Sequence, residues 1–123
     1  MRYYKLSIDT NNNSEIYNMI TKILELQPTE NKRNKISGKR CYTWNYVVIE
    51  TDRDPYFDFI NNFLDILEPK FDTLEGIGIT RDKIILWMLY EYKQQCGIEF
   101  NPEEMLRLGN SGIHLNIDCW QND

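Results

Sequence analysis

Tyr4-Lys5-Leu6-Ser7-Ile8-Asp9 alternates apolar and polar residues, the period-two pattern of a strand with one buried face. Asn11-Asn12-Asn13 then marks a turn, and Ser14 is a fair N-cap for a helix with Ile16, Met19, Ile20, Ile23 and Leu24 on one stripe. Pro28 disfavours helical geometry just before it, so this helix is predicted to stop near Gln27. Thr29 to Arg40 is polar and basic and reads as a loop. Cys41 to Thr51 is rich in aromatic and β-branched residues and predicts a second strand.

Asp54-Pro55 offers a cap and a first helical residue. Phe57, Ile60, Phe63, Leu64 and Leu67 follow as an apolar stripe, widened by Phe59 and Ile66. Pro69 breaks or restarts this helix, which adds a turn or two before Gly76-Ile77-Gly78. Lys83 to Tyr92 is nearly continuously apolar, as expected of a central strand covered on both faces or nearly so. Gly97-Ile98-Glu99-Phe100 predicts a short extended piece. Asn101-Pro102-Glu103-Glu104 combines a capping Asn, a first-position Pro and a Glu at the third position. Met105, Leu106 and Leu108 are the apolar positions of that helix, which ends in Gly109-Asn110-Ser111-Gly112. The last strand places Ile113, Leu115, Ile117 and Cys119 on one face, read as core, and His114, Asn116, Asp118 and Trp120 on the other. The order β-α-β-α-β-(β)-α-β predicts a single α+β domain over residues 1–123. One mainly antiparallel or mixed sheet carries packed helices, with a basic loop at 30–41.

The 123 residues suffice for one domain that buries roughly two-thirds of its unfolded surface. Hydrophobic residues at 41% and charged residues at 27% are globular values. No apolar run approaches a membrane span, and residues 1–5 show no signal-peptide core. The net charge is −5 but uneven: residues 1–62 hold 9 basic and 8 acidic groups, and residues 63–123 hold 5 and 11. An acidic body disfavours general nucleic-acid binding and suits docking on a basic partner. Cys41, Cys96 and Cys119 are scattered, which reads as free thiols in a reducing compartment. Without paired ligands, and with His114 the lone histidine, no metal or cofactor is expected.

Three groups are candidate sites. Asp58, Asp65 and Asp72 on the second helical region, with Trp120 as an aromatic anchor, are candidates for binding a protein partner; helix solvation also accounts for the acids. His114, Asn116 and Asp118 form a row that a ligand or an enzymatic mechanism would use, although strand alternation alone produces such a row. Lys32, Arg33, Lys35, Lys39 and Arg40 form a candidate anion-binding loop, or a solvated charge run. Cys41 beside this loop reads either as an activated thiol or as a bystander. Gly76-Ile77-Gly78 follows a helix and precedes a strand, the reverse of a dinucleotide fingerprint, so it reads as a helix-ending turn.

Four features together resemble an uncharacterised, mostly bacterial family catalogued as domain of unknown function 4279. They are the corner Leu24-Glu25-Leu26-Gln27-Pro28-Thr29, Trp44 after the basic loop, the helix end Leu64-Asp65-Ile66-Leu67-Glu68-Pro69-Lys70, and a tail from Gly97 to Leu106 and from Gly112 to Asp118. The loop before Trp44 is more lysine-rich than the family pattern. The resemblance implies one α+β domain in the bacterial cytoplasm and brings no catalytic residues. The expectation is a non-enzymatic protein-binding domain, in its sharpest form an immunity-type inhibitor docking a basic partner through an acidic surface. The alternative is a small-ligand binder or enzyme using the face around His114. A homodimer through a sheet edge is also compatible with the pattern.

Overall fold

The computed structural model describes residues 1–29, 35–36, 39–40, 43–50 and 57–122, with the backbone alone at 35–36 and 39–40. Strand β1 (Arg2–Asp9) is followed by α1 (Ser14–Leu24), the short strands β2 (Lys35–Ile36) and β3 (Lys39–Arg40), and β4 (Thr43–Glu50). Then come α2 (Phe59–Leu67), α3 (Phe71–Gly76), β5 (Ile84–Tyr92), α4 (Pro102–Ser111) and β6 (His114–Gln121). The main sheet has the order β4-β1-β5-β6. β1 runs antiparallel to both neighbours, whereas β5 and β6 are parallel and joined through α4. This is the expected α+β architecture, with a mixed sheet. The basic stretch read as loop contains an antiparallel ladder between β2 and β3, pairing Lys35 with Arg40 and Ile36 with Lys39.

Period-two alternation decides which face of the sheet is covered. Tyr4, Leu6 and Ile8 of β1, Trp44 of β4, and Ile84, Leu86 and Met88 of β5 share one core with Ile20, Phe63, Leu64, Leu67 and Leu74 of the helices. β5 is not covered on both faces: Ile85, Trp87 and Leu89 alternate with its buried residues and are only half-buried. The Lys5 ammonium sits 5.3 Å from the Trp87 ring centroid on that other face, so an amphipathic stem is part of its cover. Burial holds the Lys5 amine below its ordinary pKa.

Helix ends follow local hydrogen bonding. Asn13, not Ser14, caps α1 by accepting from the Glu15 and Ile16 amides. α1 stops at Leu24, before Gln27, because Glu25 enters the left-handed region at φ 53° and closes the helix through the Thr21 carbonyl. Asp58 caps α2 by accepting from the Asn61 amide, so the described helix begins at Phe59. The expected cap at Asp54-Pro55 lies outside the described residues. The capping box of α4 is as expected, with Asn101 and Glu104 exchanging hydrogen bonds. Gly112 ends α4 at φ 73°, and Gly78 turns the chain at φ 88° after α3.

Two expectations about apolar positions are corrected. Met105 and Leu106 are exposed, and α4 instead turns Glu104, Leu108 and Ser111 inward. Residues 97–100 form no strand; they pass as a strap from β5 to α4. Two guanidinium groups hold the helical layer together. Arg81 stacks 3.8 Å from the Phe71 centroid and donates to the Ser111 carbonyl at the C-terminus of α4. Arg107 on α4 donates to three residues on and after α2: Asn61, Asp65 and Glu68.

Candidate functional site

The carboxyl ends of β4 and β5, which flank β1 on either side and run antiparallel to it, lie beside the start of β1, and the N-termini of α2 and α4 converge there. A cavity of about 380 Å³ opens at this point, within the range of small-molecule and side-chain pockets. Arg2, Tyr4 and Met88 form its floor, Phe57 to Ile60 one wall, and the strap Gly97 to Asn101 with Glu104 the other.

The apolar half is aromatic. Tyr4 stacks on Phe59 with centroids 4.9 Å apart and meets Phe57 at 5.5 Å. Phe59 meets Phe100 of the strap edge-on at 6.2 Å. These rings are placed by alternation in β1, by the first turn of α2 and by the strap.

The polar half is a connected network. The buried Tyr4 hydroxyl donates to the Glu50 carboxylate. Arg2 lies 3.6 Å from the same carboxylate and its guanidinium sits 4.4 Å from the Tyr90 centroid. Register explains the grouping: Arg2 is opposite both Glu50 and Tyr90. Burial, then the hydrogen bond and charge of Glu50, push the Tyr4 phenol well above its ordinary pKa. Burial opposes the charge on Arg2, but its hydrogen bond to Tyr90 and the charges around it outweigh that, and its pKa is raised. The Tyr4 hydroxyl is therefore a fixed hydrogen-bond donor, poorly suited to act as a base.

Asp58, Glu99 and Glu104 also line the cavity. Asp58 is engaged at the α2 cap and Glu104 in the α4 capping box, while Glu99 is exposed on the strap. Arg2 is the one cation among the described lining residues, and Glu50 already holds it. The cavity is thus aromatic on one side and carboxylate-rich on the other, a combination that suits the alkyl stem and charged head of a cationic side chain.

The residues singled out from sequence are not gathered into one place. Asp58 lines the cavity, Asp65 is an exposed acid paired with Arg107, and Asp72 is exposed on α3. Trp120 stands on edge strand β6. Its neighbour on β5 is Glu91, on the sheet face away from the helices. His114, Asn116 and Asp118 do share that face, opposite Ile85, Trp87 and Leu89. His114 is exposed at the start of β6 and lies near Asp82. The hydrogen bond from Thr80 holds the Asp82 carboxyl below its usual pKa, and His114 contributes the smallest part of that shift. Of the basic group, Lys32 and Arg33 lie outside the described residues, as does Cys41; Lys35, Lys39 and Arg40 belong to the β2–β3 ladder.

Cys119 is exposed, not core, because β6 is the edge strand and this part of it is uncovered. Its sulfur lies 3.3 Å from that of Cys96. Among the described residues, no group of three or more His, Cys, Asp and Glu side chains is placed to hold a metal, and no helix is long and apolar enough to cross a membrane.

Arg2, Tyr4 and Glu50 were not singled out from sequence. Their signal was the polar pair at the ends of two otherwise apolar strands, which becomes meaningful only once the strands are in register. Comparison of the chain with family models, with curated proteins and with solved structures returns no match.

Proposed function

We propose that this chain is a non-enzymatic bacterial protein-binding domain of the cytoplasm, and that a Lys or Arg side chain of a basic partner enters the cavity beside Tyr4. The observation that carries the reading is the charge of the lining: Asp58, Glu99 and Glu104 against a single guanidinium, Arg2, that Glu50 already holds. The aromatic wall takes the alkyl stem, and the carboxylates with the acidic body at net −5 supply attraction at longer range. An immunity-type inhibitor covering a basic toxin surface is the sharpest form of this reading. Membership of the family its motifs resemble is part of the proposal and adds no catalytic residue.

The test is fluorescence anisotropy with a labelled Lys/Arg-rich peptide and an acidic peptide of equal length. The basic peptide binds, and its affinity falls with salt. Glu99→Lys, an exposed change outside either cap, weakens it by roughly tenfold. Equal affinity for both peptides, or no effect of Glu99→Lys, overturns the reading.

A further inference from the structure

The strap that leaves β5 folds back over the end of β6. The Lys93 carbonyl accepts from Gln121 Nε2 at 3.1 Å, and the Tyr92 carbonyl from the Asn122 amide at 2.8 Å. These contacts fix the chain between β5 and the strap, where Cys96 lies. In β6, Cys119 is in register with Tyr90. The two sulfurs, 23 positions apart in sequence, are 3.3 Å apart and both residues are exposed. A disulfide needs S–S contact near 2.05 Å, so the remaining gap is within reach of small side-chain rotations. Hydrogen bonding with Cys96, in which the protonated Cys119 thiol is the stabilised form, also raises the Cys119 thiol above its ordinary pKa.

We propose that Cys96 and Cys119 are a reversible disulfide site, closed by a low-molecular-weight disulfide such as oxidised glutathione. The chemistry balances by two exchanges. One protein thiolate attacks the small disulfide, forming a mixed disulfide and releasing one small thiolate. The second protein thiolate then attacks the mixed sulfur, forming the Cys96–Cys119 bond and releasing the other. Two protein thiols lose two protons and two electrons, and the small disulfide becomes two thiols. The closed ring contains all of α4 and the strap, and Cys96 is followed directly by Gly97, the first strap residue of the cavity wall. Closure therefore ties that wall to β6. Bond formation does not depend on what the cavity binds.

The experiment equilibrates the Cys41→Ser chain in glutathione buffers of increasing oxidised fraction, alkylates free thiols and maps peptides by mass. The expected product is monomeric, lighter by two hydrogens, carries a single Cys96–Cys119 linkage, and is reopened by dithiothreitol. Its Tm rises by roughly 5 °C or more over the reduced form. If Cys41→Ser does not fold, the same peptide map of the native chain distinguishes the linkages. Two alkylatable thiols persisting in fully oxidised buffer, or glutathione adducts or intermolecular dimers as the end product, overturn the proposal.

Discussion

Arg107 Nη2 lies 2.7 Å from the Asp65 carboxylate, so the one acid within α2 is tied to α4. The same guanidinium donates to Glu68 and to Asn61 Oδ1, each at 2.8 Å. A rigid planar fork with five donors spans these three residues at once, a geometry that a compact ammonium does not reproduce. Arg107→Lys is expected to lower stability by about 1 kcal/mol, with a smaller loss in high salt, because both ion pairs are largely solvated. Urea unfolding at two salt concentrations measures this; a loss independent of salt would assign the effect to packing. Charge reversal at Asp65 sets a second cation beside Arg107, so a binding defect in that variant must be compared with its stability.

The Tyr4 phenol gives a pH prediction. Folding keeps it protonated above its ordinary value of 10.0, while the unfolded chain releases the proton first. The contribution is therefore complete below about pH 10 and declines above it, by up to ~1.4 kcal/mol per pH unit. Tyr4→Phe should flatten this part of the stability profile relative to the parent. Ultraviolet titration should show one of the eight tyrosines resisting ionisation until the chain unfolds. Parallel profiles for parent and variant would contradict the assignment.

Trp44 is fully buried, and its indole N–H donates to Thr21 Oγ1 at 3.0 Å. Thr21→Val keeps the shape but strands a buried donor, with an expected loss of about 1–3 kcal/mol. In Trp44→Phe the donor is gone, so adding Thr21→Val costs much less. A double-mutant cycle by chemical denaturation reads the coupling, and strict additivity would dismiss the hydrogen bond.

Glu25 closes α1 with φ at 53°, a conformation glycine adopts without penalty. Glu25→Gly should raise stability by roughly 0.5–1 kcal/mol, visible as a higher Tm. A lower Tm would show that the Glu25 side chain contributes more than its backbone costs.

Much of the fold was legible because local rules agreed with the tertiary outcome. Alternation located β1 and β6, and Asn101-Pro102-Glu103-Glu104 announced the start of α4. The failures have physical causes. Pro28 predicted a late end to α1, but a left-handed residue ended it three positions earlier. Met105 and Leu106 looked like core because apolar spacing alone does not tell which stripe of a helix meets the sheet; Arg107 helps settle it through contacts distant in sequence. The site was hardly legible. Arg2, Glu50 and Tyr90 meet only through strand register, and Cys96 and Cys119 only through the return of the strap. Asp58 was found as an acid, but its role as a cap placed it at the cavity mouth and away from Asp65.

One of the two interior strands, β1, is also the first strand of the sheet to be made. β1 takes its two neighbours from parts of the chain made later, and Arg2 finally pairs opposite Tyr90. During synthesis, one side of β1 has no partner until β5 has emerged, with Leu6 and Ile8 awaiting cover. Chains halted after Glu75 are thus expected to be captured by holdase chaperones and cut readily by proteases, whereas chains extended past Tyr92 escape both.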